Sequence, residues 1–284
     1  MKGEAAHRKE KDEVVLFMRY KLIAVDIDGT LLDSNSRLQP ETIRSVRRGV
    51  SNGLIFTLST GRPVQGIRKL LKELDVKSVS ITYNGAMLVT EKEEVLYSCT
   101  LRPADAIDII RLGMERNLSL IFWANNILYA NEINDTTIAY SEISGVPPVL
   151  FKDYEKLASE GITKVIWIDT PEEIRRQEQE VGKYLSDQVN FHTSRPMFLE
   201  FVDKSASKAL AMEKLGEIYG IKREEMIAVG DGLNDLSMIQ YAGLGVAMAN
   251  SHPEVLKAAD FVTLSNDENG VGYVIDRVTD GIDF

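Results

Sequence analysis

The sequence has almost no cysteine. Cys99 is the single thiol in 284 residues, so no disulfide can form within the chain. A chain of this length must then be held together by an apolar core, and its hydrophobic content of 44% is enough to build one. Because disulfides are rare where thiols are kept reduced, we predict a cytoplasmic protein.

Long apolar runs and an excess of positive charge are also missing. No segment approaches the roughly 20 apolar residues that cross a bilayer. The charged start, MKGEAAHRKEKDE, does not resemble a signal peptide, and we interpret residues 1–18 as a solvated N-terminal extension.

With 33 Lys and Arg against 43 Asp and Glu, the net charge is -10. This balance argues against a basic nucleic-acid-binding face. We predict neither a nucleic-acid nor a membrane partner, and we expect a monomer or a weak homo-oligomer.

Apolar strands alternate with helical segments near both ends of the chain. The first strands are KLIAVD at 21–26, LIFTLS at 54–59 and SVSITY at 78–83, and MIAVGD, LGVAMA and FVTL follow after residue 225. Pro40 suits the first turn of the helix between the first two strands, and Gly53 suits its end. Strands that are apolar throughout and alternate with helices indicate a parallel sheet in an α/β fold.

The middle of the chain has a different pattern. Between residues 86 and 200 the strands are more amphipathic and richer in aromatic residues, as in LSLIFWA, KVIWID and MFLEFV. We interpret residues 86–200 as an inserted α/β unit, and residues 19–85 and 201–284 as one discontinuous core.

Polar residues follow several of the predicted core strands. In open parallel sheets, ligands bind beyond the carboxyl ends of the strands, so these residues are expected to meet at one edge. A single lysine, Lys208, begins the helix before the strand at 226–230. The candidates are Asp26 and Asp28 after the first strand, Ser59, Thr60 and Gly61 after the second, Tyr83, Asn84 and Gly85 after the third, and Asp231, Asn234 and Asp235 after the strand at 226–230.

Together these groups predict a site for a metal ion and a phosphoryl group. Carboxylates gathered at one edge repel each other unless a cation lies among them, and an incomplete set of hard oxygen ligands favours Mg²⁺. Thr60, the backbone N–H of Gly61, the following helix N-terminus with Pro63 in its first turn, and Lys208 all favour an anion. GDGLND also has the oxygen spacing of a calcium loop, but the downstream bidentate glutamate of that loop is missing.

The spacing of Asp26 and Asp28 suits two-step chemistry at phosphorus. Residues two apart at a strand end fall on the same side. One carboxylate can attack phosphorus and form an aspartyl-phosphate. The second can protonate the leaving alkoxide and later activate water, while Gly29 lets the chain turn away.

The segments DIDGTLLDSN, STGR, Lys208 and GDGLND resemble the four motifs of the haloacid dehalogenase superfamily. YNGA at 83–86 and the position of the insertion resemble its Cof-type phosphatase branch, and the likeness covers residues 19–284. The resemblance implies a Rossmann-like parallel-sheet core with an α+β cap inserted after the third strand. It also implies roles for nine residues: Asp26 as nucleophile and metal ligand, Asp28 as general acid and base with its carbonyl on the metal, Asp231 as metal ligand, Asp235 as support for the metal, and Ile27, Thr60 with Gly61, Lys208 and Asn234 as phosphate-binding residues.

The sequence leaves the substrate and the acceptor of the phosphoryl group open. Candidate substrate-binding residues are Asn84, Arg62, Trp123, His192 and Arg195, although the pattern favours a core aromatic over a substrate contact for Trp123. The leading hypothesis is a Mg²⁺-dependent hydrolase of small phosphorylated metabolites such as sugar phosphates. A phosphomutase or phosphotransferase with the same aspartyl-phosphate is the alternative. A non-catalytic sensor is disfavoured, because every acidic and basic position of the site is present.

Overall fold

The computed structural model describes residues 19–284, so the predicted N-terminal extension lies outside the described residues. The strands are β1 (Leu22–Val25), β2 (Ile55–Leu58), β3 (Ser80–Thr82), β4 (Met87–Val89), β5 (Val95–Ser98), β6 (Ser119–Ala124), β7 (Ile127–Ala130), β8 (Val149–Leu150), β9 (Ile162–Ile168), β10 (Val189–Arg195), β11 (Phe198–Asp203), β12 (Met226–Gly230), β13 (Leu244–Ala247) and β14 (Phe261–Val262). The helices are α1 (Pro40–Ser51), α2 (Arg68–Leu74), α3 (Pro103–Glu115), α4 (Asp135–Ser144), α5 (Tyr154–Glu160), α6 (Pro171–Val181), α7 (Lys208–Tyr219), α8 (Leu236–Tyr241), α9 (Pro253–Ala258) and α10 (Gly270–Thr279).

A five-stranded parallel sheet carries both ends of the described chain. Its strand order is β14-β13-β12-β1-β2. Alternate residues of each strand face opposite sides, so Ile23 and Val25 join one apolar cluster with α1 and α10, whereas Leu22 and Ala24 join another with α7 and α8. Both faces are therefore buried, as the continuous apolar strands predict, and the carboxyl ends stay free for a site.

A second sheet of six strands is built from the middle of the chain. Its order is β10-β11-β9-β6-β7-β8, and every pairing is antiparallel except β7 with β8. One face packs on α3, α5 and α6 around Trp167 and Phe201. The other face carries Trp123, Ile166 and Phe198, which pack with Tyr83 and with residues of β4. The predicted fold class, a parallel-sheet α/β core with an additional α+β unit, is confirmed.

The third predicted strand has a different partner from the one we expected. β3 is joined to Ser59, the residue after β2, by a single parallel bridge through Ile81. It otherwise pairs antiparallel with β4, which pairs with β5. The segment that leaves the site therefore turns back on itself immediately after Gly85. β4 and β5 lie beyond the predicted boundary at residue 85 but join a strand before it, so the exact domain boundaries stay a prediction.

The helix after β2 begins later than Pro63 suggests. Pro63 precedes a 3₁₀ turn at Val64–Ile67, and the α-helix starts only at Arg68. The expected α-helix N-terminus at Pro63 is therefore replaced by one tighter turn, which contains Gly66, a weak helix former. Within residues 19–284, none of the helices is both long and apolar enough to cross a membrane.

Candidate active site

The first strand ends in a tight turn that presents two aspartates. Asp26 follows Val25, and the turn at Ile27–Leu31 brings the backbone round to Gly29, which has φ of +82°. A side chain at Gly29 would overlap the carboxylate of Asp231, so only glycine fits this approach of the two loops. Thr30, in the same turn, donates a hydrogen bond to Asp231 Oδ1 at 2.7 Å. The turn therefore sets the position of both the first and the last motif.

Lys208 joins the acidic residues from the opposite side. It is the first residue of α7, a helix whose N-terminus is capped by Ser207, and it is fully buried. Its ammonium donates hydrogen bonds to Asp26 Oδ1 at 2.6 Å, to Asp235 Oδ1 at 2.5 Å and to the carbonyl of Ser59 at 2.8 Å. All three N–H groups are thus used, so Lys208 has charge, and no free N–H group, to offer to an anion at this place.

Asp231 and Asp235 complete an acidic cluster with Asp26. Oxygen atoms of the three carboxylates lie within 4.8 Å of one another, an arrangement that could hold a metal ion. Asp235 is fully buried, and its Oδ2 accepts from the backbone N–H groups of Asp231 and Gly232. Since both oxygens of Asp235 are occupied, Asp26 and Asp231 are the better placed direct ligands.

The cluster carries more negative charge than Lys208 neutralises. Burial, and next the charge of Asp235, raise the pKa of Asp26 to about 8, although the Lys208 ammonium acts in the opposite direction. Burial also raises the pKa of Asp231 to about 6. Burial alone would lower the pKa of Lys208, but Asp235 and Asp26 raise it. Lys208 therefore stays protonated, but its single positive charge is too little to balance the three carboxylates.

Thr60 and Asn84 line the space in front of the cluster from the ends of β2 and β3. Thr60 is buried at the end of β2, with its hydroxyl accepting from the N–H of Arg62 at 3.1 Å. Asn84 adopts φ of +56° after β3 and accepts from the Asn234 amide at 3.3 Å. A Cβ at Gly61 would lie 2.9 Å from Asn84 Oδ1, which explains the glycine. The side chain of Ile27 is buried in the core cluster, so only its backbone can reach a ligand.

Asp28 is held by a basic partner. Arg62 donates from its Nε to Asp28 Oδ2 at 2.9 Å and from a terminal nitrogen to Oδ1 at 2.5 Å. The Asp28 side chain is 61% exposed, so this ion pair adds little stability. The ion pair instead positions Asp28, because its two hydrogen bonds fix the direction of this carboxylate. The sequence predicts that Asp28 is the general acid.

The site opens into a cavity of about 1040 Å³ between the two larger sheets. We call its two sides the core wall and the facing wall. The core wall comprises Asp26, Asp28, Thr60, Gly61, Arg62, Asn84, Lys208, Asp231 and Asn234. The facing wall comprises Tyr140, Ile143, Ser144, Lys164, Asn190, His192, Thr193, Ser194, Arg195, Phe198, Glu200 and Val202. The structure thus brings His192 and Arg195 to the cavity opposite the predicted phosphoryl site.

Trp123 is not brought to the cavity. Its side chain is fully buried, packs against Tyr83 with ring centroids 5.6 Å apart, and donates from Nε1 to the hydroxyl of Tyr140 at 3.2 Å. Tyr140 lines the cavity, so Trp123 supports the facing wall from behind. Trp123 is therefore a core aromatic and does not contact substrate as the sequence had suggested. The reason is that its side chain on β6 points inward and lies under α4.

Sequence reasoning missed a buried ion pair on the facing wall. Lys164 Nζ and Glu200 Oε2 are 3.0 Å apart, and Ser194 donates to Glu200 Oε1 at 2.8 Å. Burial would raise the pKa of Glu200, but the Lys164 charge lowers it. Burial would lower the pKa of Lys164, and Glu200 raises it, so both groups stay ionised. The available signal was a lysine at the start of the apolar segment KVIWID and a glutamate inside MFLEFV.

The parallel sheet, the carboxylate cluster and the lysine define a class of protein. The sequence profile of the haloacid dehalogenase-like hydrolase family matches residues 23–275. The chain belongs to that family, which confirms the resemblance seen in the four motifs.

Curated and solved relatives agree over nearly the whole chain. "Putative phosphatase YxeH" of Bacillus subtilis is 36% identical over 90% of this chain and 97% of that protein. "5-amino-6-(5-phospho-D-ribitylamino)uracil phosphatase YwtE", also from Bacillus subtilis, is 28% identical over 92% of this chain and 99% of that protein. The crystal structure of a haloacid dehalogenase-like hydrolase from Bacteroides thetaiotaomicron matches with a TM-score of 0.82 at 31% identity, over 91% and 99% of the two chains. The predicted enzyme class, a phosphatase of this superfamily, is confirmed.

Proposed function

We propose that the protein hydrolyses phosphate monoesters of small sugars or polyols, with Mg²⁺ as cofactor and a phosphoaspartate on Asp26 as intermediate. One observation carries this proposal: Asp26, Asp231, Asp235 and Lys208 converge at the end of a cavity that is large enough for a small metabolite. We assign the phosphoryl-transfer step to the core wall.

The residues at the core wall fit a divalent cation. Three carboxylates and one ammonium leave two uncompensated negative charges, and the raised pKa values of Asp26 and Asp231 reflect that shortage. The available donors are hard oxygen atoms, which suit Mg²⁺. Asp26, Asp231 and the carbonyl of Asp28 would hold the ion, with Asp235 behind them. When bound, it would keep the carboxylates ionised and polarise the phosphoryl oxygens.

The chain's own residues account for two balanced steps. A carboxylate oxygen of Asp26 attacks phosphorus, the ester P–O bond breaks, and Asp28 gives its proton to the departing alkoxide. Asp28 then takes a proton from a water molecule, whose oxygen attacks the same phosphorus and breaks the bond to Asp26. Thr60, Asn234 and the charge of Lys208 hold the phosphoryl oxygens throughout.

Asp28 also favours an ester substrate. An alkoxide is a poor leaving group, so it needs a proton donor such as Asp28. The relative YwtE is named for a substrate that carries its phosphate on a ribityl chain, which is a polyol. By similarity, we extend that chemical class to this chain. We also retain a cytoplasmic location and a monomeric or weakly associated state as predictions.

The test is Mg²⁺-dependent phosphate release by the purified protein from glycerol, ribitol, sorbitol and hexose monophosphates. We expect release that scales with enzyme and stops on chelation, and no release by Asp26→Asn. Excess free polyol separates the alternative: a phosphotransferase would form a new ester in place of free phosphate. Absence of phosphate release from every ester with Mg²⁺ present would overturn the proposal.

A further inference from the structure

The facing wall contains two charges within an otherwise apolar sheet face. Lys164 on β9 and Glu200 on β11 are 3% and 7% exposed. Their neighbours on the same face are Ile166, Phe198 and Val202, which belong to an apolar cluster. Both charged residues nevertheless line the cavity. The pair is therefore shielded from bulk water and open only toward the space where a substrate would lie.

Stability does not account for this pair. Removing two charges from water costs about as much as their attraction returns, and well-packed apolar residues at such positions are often neutral or stabilising. The surrounding face already consists of residues that would pack well with a leucine or a methionine. A role toward a ligand is the remaining explanation for charges at this place.

The wall keeps unused hydrogen-bonding capacity. Within residues 19–284, Lys164 Nζ donates to Glu200 alone, so two of its three N–H groups are free. The Tyr140 hydroxyl accepts from Trp123, which leaves its own hydrogen available as a donor. Ser194 donates to Glu200, so its oxygen can still accept a hydrogen bond. Donors and acceptors are thus side by side, as a hydroxyl group requires.

The net charge of the wall argues against a second anionic group on the substrate. Glu200 lies 3.0 Å from Lys164 and neutralises it. A second phosphate or a carboxylate placed here would meet the Glu200 carboxylate without an excess of buried positive charge. Arg195 also lines the cavity, but its side chain is exposed and its charge is screened by water.

We propose that the Lys164–Glu200 pair, with Ser194 and Tyr140, recognises the hydroxyl groups of an uncharged polyol or sugar leaving group and sets specificity for it. This inference rests on the proposed function, since it concerns the part of the ester that leaves. Lys164 donates to a substrate hydroxyl oxygen, and Glu200 accepts from a substrate hydroxyl hydrogen. The core wall holds the phosphoryl end.

The experiment compares two kinds of phosphate donor in the full chain with Mg²⁺. Glycerol, ribitol and sorbitol phosphates supply uncharged hydroxyl-rich leaving groups, whereas acetyl phosphate has no hydroxyl group to recognise. Glu200→Gln should lower kcat/KM for the best polyol ester by about 10- to 100-fold, as expected for loss of a hydrogen bond to a charged group. It should leave acetyl phosphate turnover within about twofold, because the core wall is intact.

The matched control is Glu172→Gln, an exposed carboxylate that pairs with Arg175 on the surface of α6. This variant should match the wild type on both donors. Equal losses on both donors in Glu200→Gln, or no loss on either, would overturn the inference alone. A wild-type preference for fructose bisphosphate or phosphoglycerate over every neutral ester would also overturn it. Failure of the wild type to hydrolyse any donor would instead reject the proposed function.

A second variant guards against misfolding of Glu200→Gln. The double change Lys164→Met with Glu200→Leu removes both charges and leaves none unpaired, so it should fold with an unchanged or higher Tm. We expect it to keep acetyl phosphate turnover and to lose the preference for polyol esters. Retention of that preference by the folded double variant would contradict the assigned role.

Discussion

The cavity has a buried lysine on each wall, and the two lysines are built differently. Lys208 on the core wall is saturated by Asp26, Asp235 and a backbone carbonyl, within a cluster that stays negatively charged. Lys164 on the facing wall has one carboxylate partner and belongs to a neutral pair. The negative cluster suits a cation and a phosphoryl group, and the neutral pair suits an uncharged polar ligand. The comparison therefore assigns phosphoryl transfer to the core wall and choice of the leaving group to the facing wall.

The largest effect should come from Asp26→Asn on the core wall. We expect kcat/KM to fall on the order of 10⁴-fold or more, because the amide cannot form the acyl-phosphate bond. The loss should be equal for polyol esters and for acetyl phosphate, which distinguishes this wall from the facing wall. Asp33→Asn, in a surface turn of the same segment, is the control and should match the wild type. A loss confined to polyol esters would contradict the assignment of phosphoryl transfer to the core wall.

Removal of the divalent cation should be nearly as severe. A chelator is expected to abolish turnover of every donor, because the carboxylate cluster is then short of positive charge. Mg²⁺ should also raise Tm, since saturation at about 100 times Kd stabilises a folded protein by about 2.7 kcal/mol. Calorimetry of the wild type and Asp231→Asn with and without Mg²⁺ measures this. An undiminished Tm shift in Asp231→Asn would place the ion elsewhere.

Asp28→Asn should distinguish leaving groups. Loss of the proton donor should slow polyol esters by about 10²- to 10⁴-fold. Acetyl phosphate has a much better leaving group, so its first step should be slowed less. Steady-state kinetics on both donors supplies the ratio. An identical loss on the two donors would remove Asp28 from the acid role.

Arg62→Ala should have a moderate effect that acts through Asp28. Without the two hydrogen bonds from Arg62, the Asp28 carboxylate loses its fixed direction, and we expect kcat to fall by about tenfold. Arg62→Lys should recover part of the loss. In an Asp28→Asn background the Arg62 change should have almost no further effect. A full tenfold loss in that background would show a role independent of Asp28.

The smallest kinetic effect belongs to Trp123→Phe. The change removes the hydrogen bond to Tyr140 and leaves a small void, so unfolding should become easier by about 1–3 kcal/mol. Because Trp123 does not line the cavity, kcat/KM should stay within about twofold for polyol esters. Thermal unfolding and kinetics on one preparation test both statements. A large rise in KM with unchanged Tm would indicate that Trp123 does contribute to substrate binding.

The core wall was predictable from sequence because its geometry is local to strand ends. A parallel sheet aligns the carboxyl ends of its strands, so Asp26, Thr60 and Asp231 had to meet once the strands were recognised. Lys208 was harder to place from pattern alone, and only its position at the start of a helix before β12 pointed to the site.

The facing wall was less predictable because its residues meet through antiparallel register. Lys164 and Glu200 are adjacent only because β9 pairs with β11, a pairing that depends on the whole second sheet. Two helices of that unit, α4 and α5, were not identified, and the helix after β2 was expected too early. α4 has weak apolar periodicity, and α5 and the helix after β2 are only seven residues long each, so all three gave little signal.

A crystal structure of the protein with Mg²⁺ and beryllium fluoride, a mimic of the phosphoryl group, tests the central claim most directly. The account predicts one Mg²⁺ bound by Asp26 and Asp231, and beryllium fluoride attached to a carboxylate oxygen of Asp26 within reach of Thr60. Mg²⁺ bound away from these two aspartates, or beryllium fluoride attached to any other residue, would contradict it.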